Sequence, residues 1–139
     1  MPESKAQPLH ASNSEAVTNH VRVEVESQYA PERSQPHQHG WFFYYTVRIT
    51  NESDETVQLI SRHWIGTDAT GHTEEVRGAG VVGEQPVLAP GEAFQYTSGW
   101  PLNTSMGVLR GTYQMVTESG TEFDIEIAPF ALHQPYTVH

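Results

Sequence analysis

An all-β fold is predicted by this sequence: an antiparallel β-sandwich of about seven strands, like immunoglobulin and fibronectin type III domains. Three observations carry that prediction. Apolar and polar residues alternate with a period of two in several short segments, turn signals separate those segments, and no stretch has the apolar spacing of an amphipathic helix. A small closed barrel shows the same alternation and is the structural alternative. No internal repeat is present.

With 139 residues the chain suits one domain with one core, burying roughly two-thirds of the surface its unfolded form exposes. Residues 1–19 are mostly Ser, Asn, Pro, Glu and Ala, with Leu9 and Val17 the only branched apolar residues, so they read as a flexible tail. The domain is expected over 20–132, and 133–139 form a second tail in which Tyr136 and Val138 could extend a strand.

The first expected strand places Val21, Val23 and Val25 on one face and Arg22, Glu24 and Glu26 on the other. A Pro-rich loop from Pro31 to His37 leads to the aromatic and β-branched run Trp41 to Ile49, a strong strand former. Asn51 to Asp54 make a turn. In the next segment Val57, Leu59, Ser61, His63 and Ile65 alternate with Gln58, Ile60, Arg62 and Trp64; the middle is apolar on both faces, so this strand is placed centrally. A short strand near His72 to Val76 precedes a glycine-rich loop. Pro90-Gly91 presets a tight turn before Phe94 and Tyr96. Met106 to Thr117 has Leu109, Tyr113 and Met115 on one side, with Gly111 a bulge or close-approach position. After the turn at Glu118-Ser119-Gly120, the last strand points Phe123, Ile125 and Ile127 inward.

Seven Lys and Arg against 17 Asp and Glu give a net charge of -10, a field that repels phosphate backbones and anionic lipid. Neither nucleic acid nor a membrane is an expected partner. The absence of cysteine excludes disulfides, thiolate zinc sites and cysteine nucleophiles. No basic segment leads into an apolar stretch at the N-terminus, and no run approaches the ~18 apolar residues of a membrane span. A cytoplasmic protein is expected.

Gly78-Ala79-Gly80-Val81-Val82-Gly83 matches Gly-x-Gly-x-x-Gly, which binds a dinucleotide only where a helix opens at the glycines and receives the pyrophosphate. Pro86, Pro90 and Gly91 fall where that helix would run, and Ser98 to Pro101 stand where an acidic ribose ligand is needed, so no dinucleotide cofactor is expected. A narrower reading remains: the amides of Gly78, Gly80 and Gly83, beside Arg77, could form an anion-binding nest. His37 and His39 could offer two imidazoles to a metal, with Asp68 and His72 as further ligands, although loop histidines are usually just solvated.

No catalytic set is found. His63 has no serine or aspartate placed to complete a nucleophile–base pair, Ser98 lacks a strand-to-helix elbow, and Glu74 and Glu75 point to opposite faces of a strand. The aromatic supply of Trp41, Phe42, Tyr44, Trp64, Trp100 and Tyr113 is more suggestive of recognition, with Arg62, Trp64 and Trp100 as candidate protein-binding residues beside an open sheet edge.

Taken together, Val57 to Trp64, Gly78 to Pro86, Pro90-Gly91 through Gly99, and Gly107 to Tyr113 resemble the ApaG family, and the similarity spans about residues 20–132. The resemblance implies a fibronectin-like sandwich and a glycine motif for which nucleotide or pyrophosphate binding has been inferred. It also implies an association with cobalt resistance and magnesium efflux. Bacterial genes of the family often neighbour one for a diadenosine tetraphosphate hydrolase, and the domain is appended to an F-box protein and to a DNA polymerase delta-interacting protein. No catalytic residue set accompanies the family. A non-enzymatic module that binds an unidentified protein is therefore expected, with a phosphate or nucleotide receptor at the glycine loop as the alternative.

Overall fold

Two antiparallel sheets face each other in the computed structural model, which describes residues 10–135. The first has the order β1 (Asn13–Thr18), β2 (Val21–Tyr29), β3 (Trp41–Asn51), β7 (Ala93–Leu102). The second runs β5 (Thr73–Ala79), β4 (Val57–Asp68), β8 (Met106–Thr117), β9 (Glu122–His133), and the short β6 (Val87–Leu88) also pairs with β4. The described residues thus form nine strands where about seven were expected, within the predicted sandwich. Between β2 and β3 the Pro-rich loop makes two single 3-10 turns, Pro31–Arg33 and Pro36–Gln38.

The flexible-tail reading of 1–19 does not hold over β1. Its half-buried face presents only Ser14, Ala16 and Thr18, so there is little apolar burial to detect in the sequence. Pairing to β2 through the tight turn at Asn19 and His20, both at positive φ, supplies a ladder instead. Polar links then tie β1 to β9: Ser14 Oγ donates to Ala128 O at 2.7 Å, and Thr18 Oγ1 accepts from the Glu126 amide at 3.1 Å. At the other end, Trp41 Nε1 donates to Gln134 Oε1 at 2.9 Å, so the start of the expected C-terminal tail is also held. Residues 1–9 and 136–139, including Tyr136 and Val138, lie outside the described residues.

Strict alternation is broken twice. Leu59 pairs with Met115 but Ser61 pairs with Gln114, which leaves Ile60 as an extra residue on β4. Beyond it the inward set changes from Val57 and Leu59 to Trp64 and Gly66. A second register shift lies between β8 and β9: Leu109 faces Phe130 and Gly111 faces Ile127, so the extra residue falls at Ala128-Pro129, where a proline costs no ladder hydrogen bond. Gly111 itself is the close-approach position, because a Cβ there would overlap the His63 carbonyl.

Trp64 is 1% exposed and sits among Tyr45, with ring centroids 4.9 Å apart, and Tyr113 and Phe130, both edge-on at 6.2 Å. Among the described residues Asn51 is the one buried polar side chain of this core. Its Nδ2 donates to Glu55 O and Leu88 O, each at 2.9 Å, and its Oδ1 accepts from the Ser53 amide at 3.0 Å. Asn51 therefore satisfies its buried amide while pinning the β3–β4 turn to β6.

Burial raises the phenol pKa of Tyr45, Tyr96 and Tyr113 above the usual 10.0, and the Tyr96 and Tyr113 hydroxyls share a hydrogen bond of 2.5 Å. The folded state therefore holds these protons after the unfolded chain has released its own. The stability they contribute is complete below pH 10.0 and is lost as the pH rises above it. Urea unfolding followed at increasing alkaline pH should show that decline, with ionisation of these three phenols accompanying unfolding rather than preceding it.

Candidate functional site

The glycine motif closes a miniature hairpin. Val81 and Glu84 exchange both backbone hydrogen bonds at 2.8 Å, and Val82 (φ 43°) and Gly83 (φ 81°) supply the two positive-φ residues of a type I′ turn. No α-helix follows; Pro86 O accepts from the Leu59 amide at 3.1 Å, and the chain enters β6. The Gly80 amide is already used, donating to Ile60 O at 2.8 Å.

Arg62 is the organiser of this hairpin. Displaced inward by the Ile60 bulge, its Nη1 donates to the carbonyls of Ala79 at 2.9 Å and Gly80 at 2.8 Å. Gly78 lies against the same guanidinium, with no room for a Cβ. Carbonyls, not amides, thus face the nearest arginine, and Arg62 holds its own chain rather than projecting as a binding anchor.

Arg77 is on the exposed face of β5, with Nη2 3.6 Å from Glu75 Oε1; the same carboxylate oxygen lies 2.7 Å from His63 Nε2. The shallow depression here is lined by Ser61, His63, Arg77, Gln114 and Asp124. Its charges are mixed, with the Glu75 and Asp124 carboxylates opposing a bound anion.

Two of the three candidate protein-binding residues belong to the interior. Trp64 is in the core for the reason given above, and Trp100, 7% exposed, packs over Gly66. Tyr113 is buried with them.

Of the four candidate metal ligands, Asp68 serves local structure. Among the described residues no three His, Asp or Glu side chains are grouped to hold a metal ion. Asp68 caps the β4–β5 turn: its Oδ1 accepts from the Thr70 hydroxyl at 2.7 Å and from the amides of Thr70 and His72 at 2.8 and 3.1 Å. Those donors, the Thr70 hydroxyl foremost, hold the Asp68 carboxyl below its ordinary range. His72 lies 3.7 Å from Glu74. His39 takes a left-handed conformation at the end of a 3-10 turn, its ring near Trp41, and His37 sits in that same turn.

The outward aromatics gather instead on the first sheet. Phe42 and Tyr44, at i and i+2 on β3, pack edge-on with centroids 5.6 Å apart. The Arg33 guanidinium stacks over Phe42 at 4.1 Å, and the Tyr44 hydroxyl donates to Glu32 Oε2 at 3.0 Å. Across the ladder a Cβ at Gly99 would overlap the Phe42 ring, so glycine leaves the space in which that ring lies flat. Phe42 and Tyr44 belong to the aromatic set read from the sequence, whereas Arg33 and Gly99 do not. Pairing of β3 with β7, and the 3-10 turn that brings back Arg33, are tertiary facts.

A family model described as the ApaG domain matches residues 31–117. Protein ApaG of Rhodopseudomonas palustris strain TIE-1 is 58% identical over 120 residues, covering 86% of this chain and 92% of the relative. Protein ApaG of Bordetella pertussis strain Tohama I is 55% identical over 119 residues, covering 86% and 91%. A crystal structure from Bordetella pertussis, described as an ApaA protein, superposes with a TM-score of 0.82 at 49% identity and covers 92% of this chain and 99% of its own.

Arg62→Ala should release the hairpin without unfolding the sandwich. The expected loss is on the order of 2 kcal/mol for charge-assisted hydrogen bonds. Hydrogen exchange at the Gly80 and Glu84 amides should accelerate while core amides of β8 stay protected.

Proposed function

The chain belongs to the ApaG family, and from that premise we propose that it is a non-enzymatic module that recognises another protein. The observation that supports this reading is the Phe42–Tyr44–Arg33 cluster, two half-buried aromatics and a stacked guanidinium on a sheet face. Aromatic and arginine side chains dominate the energetics of protein interfaces because they bury large area with little loss of conformational freedom. Here the Tyr44–Glu32 hydrogen bond and the Arg33 stack already restrict the side chains, lowering the cost of ordering them on binding. The link to cobalt and magnesium handling expected from the resemblance would run through that partner.

The alternative, a phosphate or pyrophosphate receptor at Arg77, Gly78, Gly80 and Gly83, must work with the Gly80 amide engaged and with carboxylates beside Arg77. Protein recognition requires no such rearrangement.

Capture from an extract of the native cell, with mass spectrometry, should recover a partner whose retention falls at least about tenfold for Phe42→Ala and Tyr44→Ala, the scale of an interface hot spot. Retention unchanged by either substitution would contradict this surface. Saturable pyrophosphate binding that shifts amides from Arg77 to Gln85, with no protein captured, would favour the alternative.

A further inference from the structure

We infer that β5 pairs with the β5 of a second copy of this chain, joining the two second sheets across a two-fold axis. This goes beyond the recognition reading and does not depend on it.

In the second sheet β5 pairs with β4 alone, and all of its residues except Gly78 are exposed. Hydrogen bonds from Gly80 N to Ile60 O and from Asp68 N to His72 O fix the phase of the β4–β5 ladder. Alternation then directs the backbone groups of Glu74, Val76 and Gly78 to β4 and those of Thr73, Glu75, Arg77 and Ala79 to the open edge. An antiparallel second copy must pair through this outward set.

Three neighbouring symmetric registers satisfy that requirement, and charge separates them. Centring on Glu75 sets Glu75 against its own copy, and centring on Arg77 does the same for arginine; both place like charges opposite each other. Centring on Val76 pairs Glu75 with the copy's Arg77 and Arg77 with the copy's Glu75, and sets Thr73 against Ala79. The two strands then overlap along their full length from Thr73 to Ala79. On the other face Val76, 39% exposed, meets Val76 of the copy. One register thus places the charges, the outward backbone groups and the strand ends in agreement, as an isologous interface requires.

The remaining edges are less open to such pairing. β7 carries Pro101, which has no amide to donate to an added strand. The β1 and β9 side is linked by the Ala131 amide donating to Ala11 O at 2.7 Å.

Sedimentation velocity on the full chain across a wide concentration series tests this directly. Physiological ionic strength is the appropriate condition, because it screens the repulsion between two chains of charge -10. The weight-average mass should rise from 15.5 kDa toward twice that value. Arg77→Glu, at a position whose side chain is 71% exposed, should weaken the dimer at least about tenfold by opposing like charges twice. The doubly exchanged E75R/R77E variant should restore it, with circular dichroism confirming that both variants fold. A mass constant at the monomer value, a dimer indifferent to Arg77→Glu, or a loss not recovered by the double exchange would each overturn the inference.

Discussion

The extra residue at Ile60 is the constraint from which the rest of the architecture follows. Without it the inward set begun by Val57 and Leu59 would continue through Ser61 and His63, giving the core a hydroxyl and an imidazole while Trp64 faced solvent. With it, Trp64 enters the interior against Tyr45, Tyr113 and Phe130, and His63 turns outward to Glu75. A single insertion therefore determines both the main aromatic contact of the core and the side chains displayed on the outer face. The matching irregularity at Ala128-Pro129 lets β9 present Phe130 and Leu132 to the same interior after Ile125 and Ile127.

The same displacement explains why the glycine motif works as a structural device. Arg62 is carried to the side of β4 from which it reaches the carbonyls of Ala79 and Gly80, and those carbonyls belong to a tight hairpin rather than to the mouth of a helix. A motif whose spacing matches a nucleotide-binding fingerprint has a different physical meaning here. The glycines provide positive φ and leave room for a guanidinium, and the charge nearest the turn is satisfied within the chain. The outward aromatic pair, Phe42 and Tyr44, stands on the other sheet.

Much of the fold was legible because a half-buried strand must alternate, and β2, most of β3 and the first half of β9 do so cleanly. The central position of β4 could be read from apolar residues on both its faces. Its bulge could not, since Ile60 is apolar and satisfies either phase. β1 is not legible in the sequence because its attachment is made by backbone groups and by Ser14 and Thr18 hydroxyls, which leave no hydrophobic signature. At the candidate sites the local roles of Asp68 and Arg62 depend on which backbone groups a turn brings near. The Phe42 cluster depends on Gly99 lying across the ladder, a pairing between residues far apart in the chain.

Hydrogen exchange at the Trp64 indole, followed by NMR in the native chain, tests the inward turn of β4 most directly. Its Nε1 is buried in the core with the rest of the 1% exposed side chain, so its exchange reports access of solvent to that interior. The bulge account predicts exchange only as fast as global unfolding allows, in step with the slowest core amides. Exchange approaching that of a free indole under native conditions would place Trp64 at the surface and contradict it.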